Sequence, residues 1–352
     1  MSRVLLVSSA VIASFLSFVL HVALNSPISP LPLPLPTSYL APNNLLQKVE
    51  KLGEGRLVGP EDVVASRDGM LYTATRDGWI RRMHPNGSWE GWVMIGGDAV
   101  LGMTEAKDGT LIVCDVDKGL LKVGDEGVTI LASVADDGSP IRFADDAIEA
   151  SDGTVYFSDA SNKFGLHDWF VDVLEARPHG RLLKYDPSTR KTSVIISGLG
   201  FANGVALSAD QDYLVVCETW RFRCLKYWLK GELEGKSEVF IDGLPGGPDN
   251  INLAPDGSFW IALLELRSGG LNLIHGSALA KRAMAAFPEL LKFIRPVKRR
   301  AMAVNVAADG TIRRALDDSD GSVMSFVTSA LEFEGHLYLG SLGTDFIGKI
   351  PL

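Results

Sequence analysis

The chain has 352 residues, of which 46% are hydrophobic, and its 34 Lys and Arg against 43 Asp and Glu give a formal net charge of −9. An acidic chain lacks the basic face that binds a phosphate backbone, so we expect no nucleic-acid partner. The length would allow two domains, but all-β folds often exceed about 200 residues as one domain.

An apolar stretch opens the chain, with Arg3 followed by apolar residues over positions 4–24. A helix of this length can span the hydrocarbon core of a bilayer, and the same composition is typical of a signal peptide. Because no clear cleavage site of small residues follows, the sequence leaves cleavage and retention open. We therefore assign residues 1–26 to a signal peptide or signal anchor, with membrane anchoring through residues 4–24.

A proline-rich segment comes next, and residues 27–48 are predicted to form a stiff, extended stem. Both interpretations of the N-terminus place the remaining domain, residues 49–352, in the secretory pathway: the endoplasmic reticulum lumen or membrane, the vacuole or the extracellular space. The triplet Asn86-Gly87-Ser88 is a glycosylation sequon and agrees with that placement. The sequence indicates no oligomeric state.

Three cysteines are present, Cys114, Cys217 and Cys224. An odd number excludes a fully paired disulfide framework. Cys217 and Cys224 flank a predicted hairpin turn, so they can either pair across it or remain buried free thiols.

A unit recurs from residue 57 onward, in which a turn is followed by an apolar run rich in β-formers. The turns are at residues 66–69, 106–109, 150–153, 208–212, 254–257 and 334–335. Most contain Asp-Gly, a strong hairpin signal between apolar runs. Gly69, Gly109 and Gly153 are 40 and 44 residues apart, the length of a four-stranded propeller blade. The six units predict an all-β fold, a six-bladed β-propeller.

Two insertions break this period, at residues 160–180 and 276–295, and the second has mostly helical spacing of its apolar residues. Insertions on one rim of a propeller can cap the central channel. A lid over a pocket and an inert surface helix are the two interpretations.

Acids and amides recur at one place in successive units, whereas the common signatures of serine hydrolases, zinc sites and phosphate loops are absent. The recurring pairs are Glu61-Asp62, Asp145-Asp146, Asn203-Gly204 and Asp249-Asn250. Glu61, Asp145 and Asp249 each lie eight residues before a turn glycine, so equivalent positions on innermost strands should converge on the axis.

Converging carboxylates repel one another unless a cation or shared protons compensate. Their oxygens are hard ligands that suit Ca²⁺ first and Mg²⁺ second. The alternative is that these residues, which are common in turns, recur for packing reasons.

Three segments, residues 178–187, 201–208 and 220–228, resemble the plant strictosidine synthase-like proteins. The similarity runs from about residue 50 to the end and includes the N-terminal hydrophobic segment. This family is similar in fold to the paraoxonases and gluconolactonases, six-bladed propellers with calcium in the central channel.

The resemblance implies a calcium ligand set. In those hydrolases one Glu, two Asn and one Asp hold the catalytic calcium, and paraoxonases have a further Asn beside the Asp. The matching positions here are Glu61, Asn203, Asp249 and Asn250, with Asp145 where an Asn is usual. The resemblance also places Asp62 and Asp146 where paraoxonases hold a second, structural calcium.

The chain departs from the family pattern at three positions. The catalytic Glu of strictosidine synthase aligns with Thr328, and a nearby active-site His aligns with Phe326. Condensation of an amine with an aldehyde therefore lacks its acid–base group. Leu101 replaces the channel-mouth His of paraoxonases.

Three further side chains are candidates with packing alternatives. His179 is a candidate base or a histidine satisfied by its own loop. Glu218 and Trp220 either line a pocket or pack in the core.

Three functions follow from these observations. The first is Ca²⁺-dependent hydrolysis of small esters or lactones, with Asp249 as base or nucleophile. The second is an amine–aldehyde condensing enzyme, and the third is a non-catalytic lumenal binding protein. Both enzyme hypotheses imply a small-molecule substrate that the sequence does not identify.

Overall fold

The computed structural model describes residues 2–33, 38–266, 269–287 and 300–352. The chain divides into two compact units, a propeller and a helical unit. Of the described residues, 2–33, 169–177 and 269–287 belong to the helical unit and the others to the propeller.

The propeller has six antiparallel four-stranded sheets among the described residues, which confirms the predicted six-bladed fold. The blades are β2–β5, β6–β9, β10–β13, β14–β17, β18–β21, and β22–β24 with β1. The strands are β1 (Glu50–Leu52), β2 (Val63–Ala65), β3 (Leu71–Ala74), β4 (Trp79–Met83), β5 (Trp89–Met94), β6 (Val100–Glu105), β7 (Leu111–Asp115), β8 (Gly119–Gly124), β9 (Gly127–Ala132), β10 (Ala144–Glu149), β11 (Val155–Asp159), β12 (Gly180–Asp186), β13 (Lys191–Leu199), β14 (Ala202–Leu207), β15 (Tyr213–Glu218), β16 (Arg223–Trp228), β17 (Ser237–Ile241), β18 (Gly247–Leu253), β19 (Phe259–Leu264), β20 (Ala301–Val306), β21 (Ile312–Asp318), β22 (Val327–Phe333), β23 (His336–Ser341) and β24 (Ile347–Pro351).

The predicted turns form the first hairpin of the blades. Gly69, Gly109, Gly153 and Gly257 have φ of 82°, 81°, 88° and 82°, a region that glycine enters without steric cost. The fourth blade places Gln211 there instead, at φ 56°. The repeat therefore reflects one hairpin geometry used in successive blades.

Apolar side chains fill the space between adjacent blades. In the largest cluster, Val215 of β15 packs with Phe259 of β19 and Val304 of β20, all fully buried. The first strands of successive blades also contact one another around the ring, and β2 contacts β22. These contacts place the first strands innermost, as the sequence pattern predicted.

The ring closes through the N-terminal strand of the propeller. In the last blade β1 pairs with β24, with Glu50 opposite Lys349 and Leu52 opposite Ile347. A short 3₁₀ helix, Leu45–Lys48, precedes β1 and buries Leu46 completely. This end of the predicted stem, residues 27–48, is thus docked on the propeller because it carries an apolar side chain.

The helical unit contains α1 (Ser2–Asn25), α2 (Trp169–Glu175), α3 (Gly269–His275) and α4 (Ala278–Ala286). Helix α2 lies in the first predicted insertion, and α4 confirms helix in the described part of the second, whose residues 288–295 lie outside the described residues. The role of the insertions as a lid stays a prediction.

Two of the three cysteines form a disulfide. Cys217 and Cys224 face each other on β15 and β16 and form a disulfide, whereas Cys114 is a buried free thiol. We expect Cys217→Ala/Cys224→Ala to lower the free energy of unfolding by about 2–3 kcal/mol, because the open chain gains loop entropy. Denaturant titration measures this, and the reduced wild type should unfold at the variant's midpoint. Equal midpoints for oxidised wild type and variant would contradict the prediction.

The sequon lies on a surface turn. Asn86 is exposed, and its side-chain oxygen accepts hydrogen bonds from the amide and hydroxyl of Ser88. Glycosylation of Asn86 stays a prediction.

Candidate metal centre on the propeller axis

The acid and amide pairs lie at irregularities of the innermost strands. The pairing of β10 with β11 skips residues 145–146, that of β14 with β15 skips 203–204, and that of β18 with β19 skips 249–250. A bulge leaves residues outside the ladder and redirects their side chains. The same kind of bulge therefore redirects the side chains of the pair in the third, fourth and fifth blades.

The first bulge position can be followed around the ring. The six residues are Glu61, which precedes β2, then Leu101, Asp145, Asn203, Asp249 and Thr328. All six are at most 5% exposed. The sequence pattern identified the four polar members of this ring that lie in blades 1, 3, 4 and 5.

Direct contacts join the predicted ligands across blades. Asn250 Nδ2 donates to Glu61 Oε1 at 3.1 Å, which links the fifth blade to the first. Asn203 donates a side-chain hydrogen bond to Asp249, which links the fourth blade to the fifth. These bonds join Asn250 to Glu61 and Asn203 to Asp249, and a shared ligand set around one ion stays a prediction.

The carboxyl groups of this centre disfavour ionisation. Burial raises the pKa of Glu61 well above its ordinary value, and the charges of Asp249, Asp62 and Asp145 raise it further. Burial and then the charge of Asp249 likewise raise the pKa of Asp145. The pKa of Asp249 rises to about 7 through burial, against the hydrogen bond from Asn203. Negative charge at this centre is therefore incompletely compensated by the protein.

Three buried oxygens of this centre accept no hydrogen bond from the described residues: Glu61 Oε2, Asn203 Oδ1 and Asn250 Oδ1. An orphaned buried acceptor costs free energy, so such atoms call for an explanation. Oxygens of one carboxylate and two amides from three blades fit the donor set of a hard cation such as Ca²⁺.

Carboxylates alone do not form the site. Across the described ranges, no group of three or more His, Cys, Asp or Glu side chains is arranged to hold a metal ion. A cation here would therefore depend on the amides of Asn203 and Asn250 together with the acids.

Asp62 joins neighbouring innermost strands. Its Oδ1 accepts from the amide of Val63 at 2.8 Å and the hydroxyl of Ser329 at 2.5 Å. Its Oδ2 accepts from the amide of Met103 at 2.8 Å. One carboxylate thus connects blades 1, 2 and 6.

Asp146 has the same role one blade further on. Its two oxygens accept from the amides of Ala147 and Val205, both at 2.8 Å. The structure therefore gives Asp62 and Asp146 a joining function, and a second metal at these residues stays a prediction.

The positions that depart from the family pattern are part of the packed ring. The hydroxyl of Thr328 donates to the carbonyl oxygen of Glu61 at 2.5 Å and is 1% exposed. Leu101 is 4% exposed, and Phe326 has a left-handed φ of 53°. Thr328 consequently positions the backbone of Glu61 and offers no carboxylate.

The remaining candidates pack in the propeller. Glu218 accepts from the amide of Gly200 at 2.8 Å and pairs with Arg223 Nε at 2.5 Å. Trp220 is 2% exposed, with its ring 4.4 Å from that of Phe201.

His179 is half-buried, and its ring lies edge-on to Phe164 at 6.0 Å. These contacts favour the packing interpretation for His179, as they do for Glu218 and Trp220.

Sequence reasoning missed one cation near the centre. Arg76 lies in the turn between β3 and β4, where its charge lowers the pKa of Glu61, Asp145 and Asp249 against the effect of burial. Its guanidinium donates to the carbonyl oxygen of Asp98 at 2.5 Å. One sequence feature could have identified Arg76. It is a single arginine in the turn after β3, the strand that pairs with the segment containing Glu61.

The chain is similar to known proteins in sequence and in fold. Sequence models described as "Strictosidine synthase" and "Strictosidine synthase-like, N-terminal" match residues 145–232 and 39–83. Protein STRICTOSIDINE SYNTHASE-LIKE 7 of Arabidopsis thaliana is 41% identical over 325 residues, covering 88% of this chain and 83% of its own. The chain belongs to the strictosidine synthase-like family.

This strictosidine synthase-like chain also has animal relatives. The adipocyte plasma membrane-associated protein of Gallus gallus is 33% identical over 358 residues, covering 94% of this chain and 86% of that protein. Among solved structures, a gluconolactonase from Xanthomonas campestris superposes with a TM-score of 0.61 at 14% identity, covering 93% and 98% of the two chains. The structural likeness shows the propeller fold.

The N-terminal helix is relevant to location. Within the described residues, Val7–Asn25 is long and apolar enough to cross a membrane, a test that a signal sequence also passes. A signal or anchor is thus indicated, and the final compartment stays a prediction.

Proposed function

We propose that this strictosidine synthase-like protein is a calcium-dependent hydrolase of small esters or lactones. The observation that carries the proposal is the set of three buried, unpartnered oxygens beside carboxyl groups whose ionisation is disfavoured. A hard cation would satisfy these oxygens and balance the acids at once. The gluconolactonase likeness supports the same reaction class by analogy of fold.

Five residues would hold the ion: Glu61, Asp145, Asn203, Asp249 and Asn250. Bound calcium supplies a Lewis acid that polarises a substrate carbonyl. The chain's own part is orientation and proton transfer. Asn250 fixes Glu61 through its 3.1 Å hydrogen bond, and Asn203 fixes Asp249. Asp249 then accepts a proton from water or attacks as nucleophile.

The condensing alternative has less support. Its acid–base position is Thr328, whose hydroxyl is bonded to the backbone of Glu61. No carboxylate occupies that ring position to move a proton between amine and aldehyde.

Metal removal tests the proposal. Purified full-length protein is assayed on a panel of aryl esters and lactones before and after treatment with a chelator. We expect activity to fall to background and to return with Ca²⁺, and to a lesser extent with Mg²⁺, because the smaller ion demands stricter octahedral geometry. Metal analysis of the untreated protein should find bound calcium. Hydrolysis that is indifferent to the chelator would reject the metal role.

A further inference from the structure

The C-terminal end of α1, which we call its base, packs against other residues of the helical unit. Phe287 immediately follows α4, and its ring stacks on that of Phe18 at 6.0 Å and on that of His21 at 4.8 Å. Val22, the residue after His21, is 1% exposed. Cleavage after residue 26 would remove these contacts and uncover Phe287.

The segment that leaves α1 is held by the first insertion. The amide of Ser29 donates to Glu175 Oε1 at 2.7 Å, and the amide of Leu31 donates to the Glu175 carbonyl oxygen at 2.8 Å. Arg177 Nε returns a hydrogen bond to the carbonyl oxygen of Ser29 at 2.6 Å. Glu175 is 1% exposed, so the side of the clamp that α2 supplies is buried.

The second insertion holds the same segment. Lys281 of α4 is 1% exposed, and its Nζ donates to the carbonyl oxygen of Leu31 at 2.6 Å. A buried amine without an acceptor is costly, so the contact fixes Leu31 to α4. Both insertions therefore secure the chain at the point where α1 ends.

Much of α1 itself is uncovered. Eight of its large apolar side chains are 41–75% exposed: Val7, Val11, Ile12, Phe15, Leu16, Phe18, Leu20 and Leu24. An apolar surface of this extent marks contact with a partner or a membrane. A 24-residue helix is about 36 Å long, enough to cross a hydrocarbon core of about 30 Å.

The short helices add apolar surface beside the anchor. Leu273 of α3 is 79% exposed and Leu279 of α4 is 47% exposed. Helix α4 contacts α1, α2 and α3. Helices of seven and nine residues are unstable alone, so the packing of α3 on α4, and of α4 on α1 and α2, is what maintains them. Exposed leucines on short helices packed with a spanning helix suit the boundary between lipid headgroups and acyl chains.

We propose that α1 is retained in the mature protein and that α3 and α4 form a collar whose leucines enter the lipid bilayer around the base of α1. The continuity of this surface with a helix of membrane-spanning length identifies the occupant as a phospholipid bilayer. The insertions would thus attach the protein to the membrane surface. This role does not depend on the proposed hydrolase activity.

Retention of α1 is tested on the full chain expressed in secretory cells. Mass spectrometry of the purified protein should find peptides from within residues 2–25. A mature chain that begins between residues 25 and 33 would overturn the proposal.

The collar is tested with the full chain reconstituted in phosphatidylcholine vesicles. Leu273→Cys and Leu279→Cys are each labelled with an environment-sensitive fluorophore. The native cysteines should not react, because Cys114 is buried and the other two are paired. The control is Val239→Cys on β17 of the propeller, where the native side chain is 52% exposed.

We expect lipids spin-labelled near the headgroup to quench the labels at 273 and 279 several-fold more than the label at 239, because a docked face lies about 5–10 Å into the interface. Equal quenching at all three sites would overturn the collar. A blue shift at 273 that depends on protein concentration and not on spin-labelled lipid would instead identify a second copy as the occupant, and would overturn it as well.

Discussion

Asp249→Asn should lower kcat for ester or lactone hydrolysis by about 10²–10⁴-fold, the usual contribution of a positioned acid or base. Asparagine keeps the size and one oxygen of the carboxylate, but it neither takes up a proton nor attacks a carbonyl. Asp249 is 5% exposed and hydrogen-bonded by Asn203, so the variant side chain should remain in place. Steady-state kinetics at saturating calcium measures the effect.

Calorimetry with calcium separates this chemical role from metal binding, because the amide that replaces the carboxylate still offers a ligand oxygen. The matched control is Asp242→Asn, the same change at an exposed position. An unchanged kcat for Asp249→Asn would remove Asp249 from the reaction, whereas loss of calcium binding in step with kcat would assign it to metal binding alone.

Glu61→Gln should have opposite effects with and without calcium. With calcium at a hundredfold excess over its Kd, wild type gains about 2.7 kcal/mol of stability, and the variant should lose most of that gain. Without calcium the variant should be at least as stable as wild type, because it removes a buried carboxyl group whose ionisation beside Asp249 and Asp145 is disfavoured. Thermal unfolding in both conditions, together with calcium calorimetry, measures both effects.

A purely structural Glu61 predicts a different result, a loss of stability in both conditions. Glu232→Gln, at an exposed position, controls for the chemical change itself. A calcium-induced rise in Tm that is equal in wild type and Glu61→Gln would contradict the proposed ligand set.

The fold was predictable because one turn recurs. Gly69, Gly109, Gly153 and Gly257 all use positive φ, so the Asp-Gly signal reports a real hairpin in each of these four blades. The offset of eight residues corresponds to Asp145 on β10, Asp249 on β18 and Glu61 just before β2. What the pattern did not contain is the bulge at three of the four pairs, because skipped residues in a ladder leave no periodic trace in sequence.

The neighbours of the site were less predictable. Arg76 affects the central acids through space and belongs to no repeat. The sequence identified Gly204 only as the residue that follows Asn203, but a Cβ there would lie 2.5 Å from the carbonyl oxygen of Asp249, so close approach of two blades requires glycine. Such contacts join residues distant in sequence and become visible only in the folded chain.

The pairing of β1 with β24 has a consequence for biosynthesis. The strand Glu50–Leu52 leaves the ribosome almost 300 residues before its partner Ile347–Pro351. At about 5–20 residues per second, the nascent protein waits roughly 15–60 s with its last blade open. During that interval the unpaired edge of the ring is exposed to other chains. Chaperones that recognise extended segments are therefore expected to bind this protein co-translationally and to release it when its C-terminus arrives.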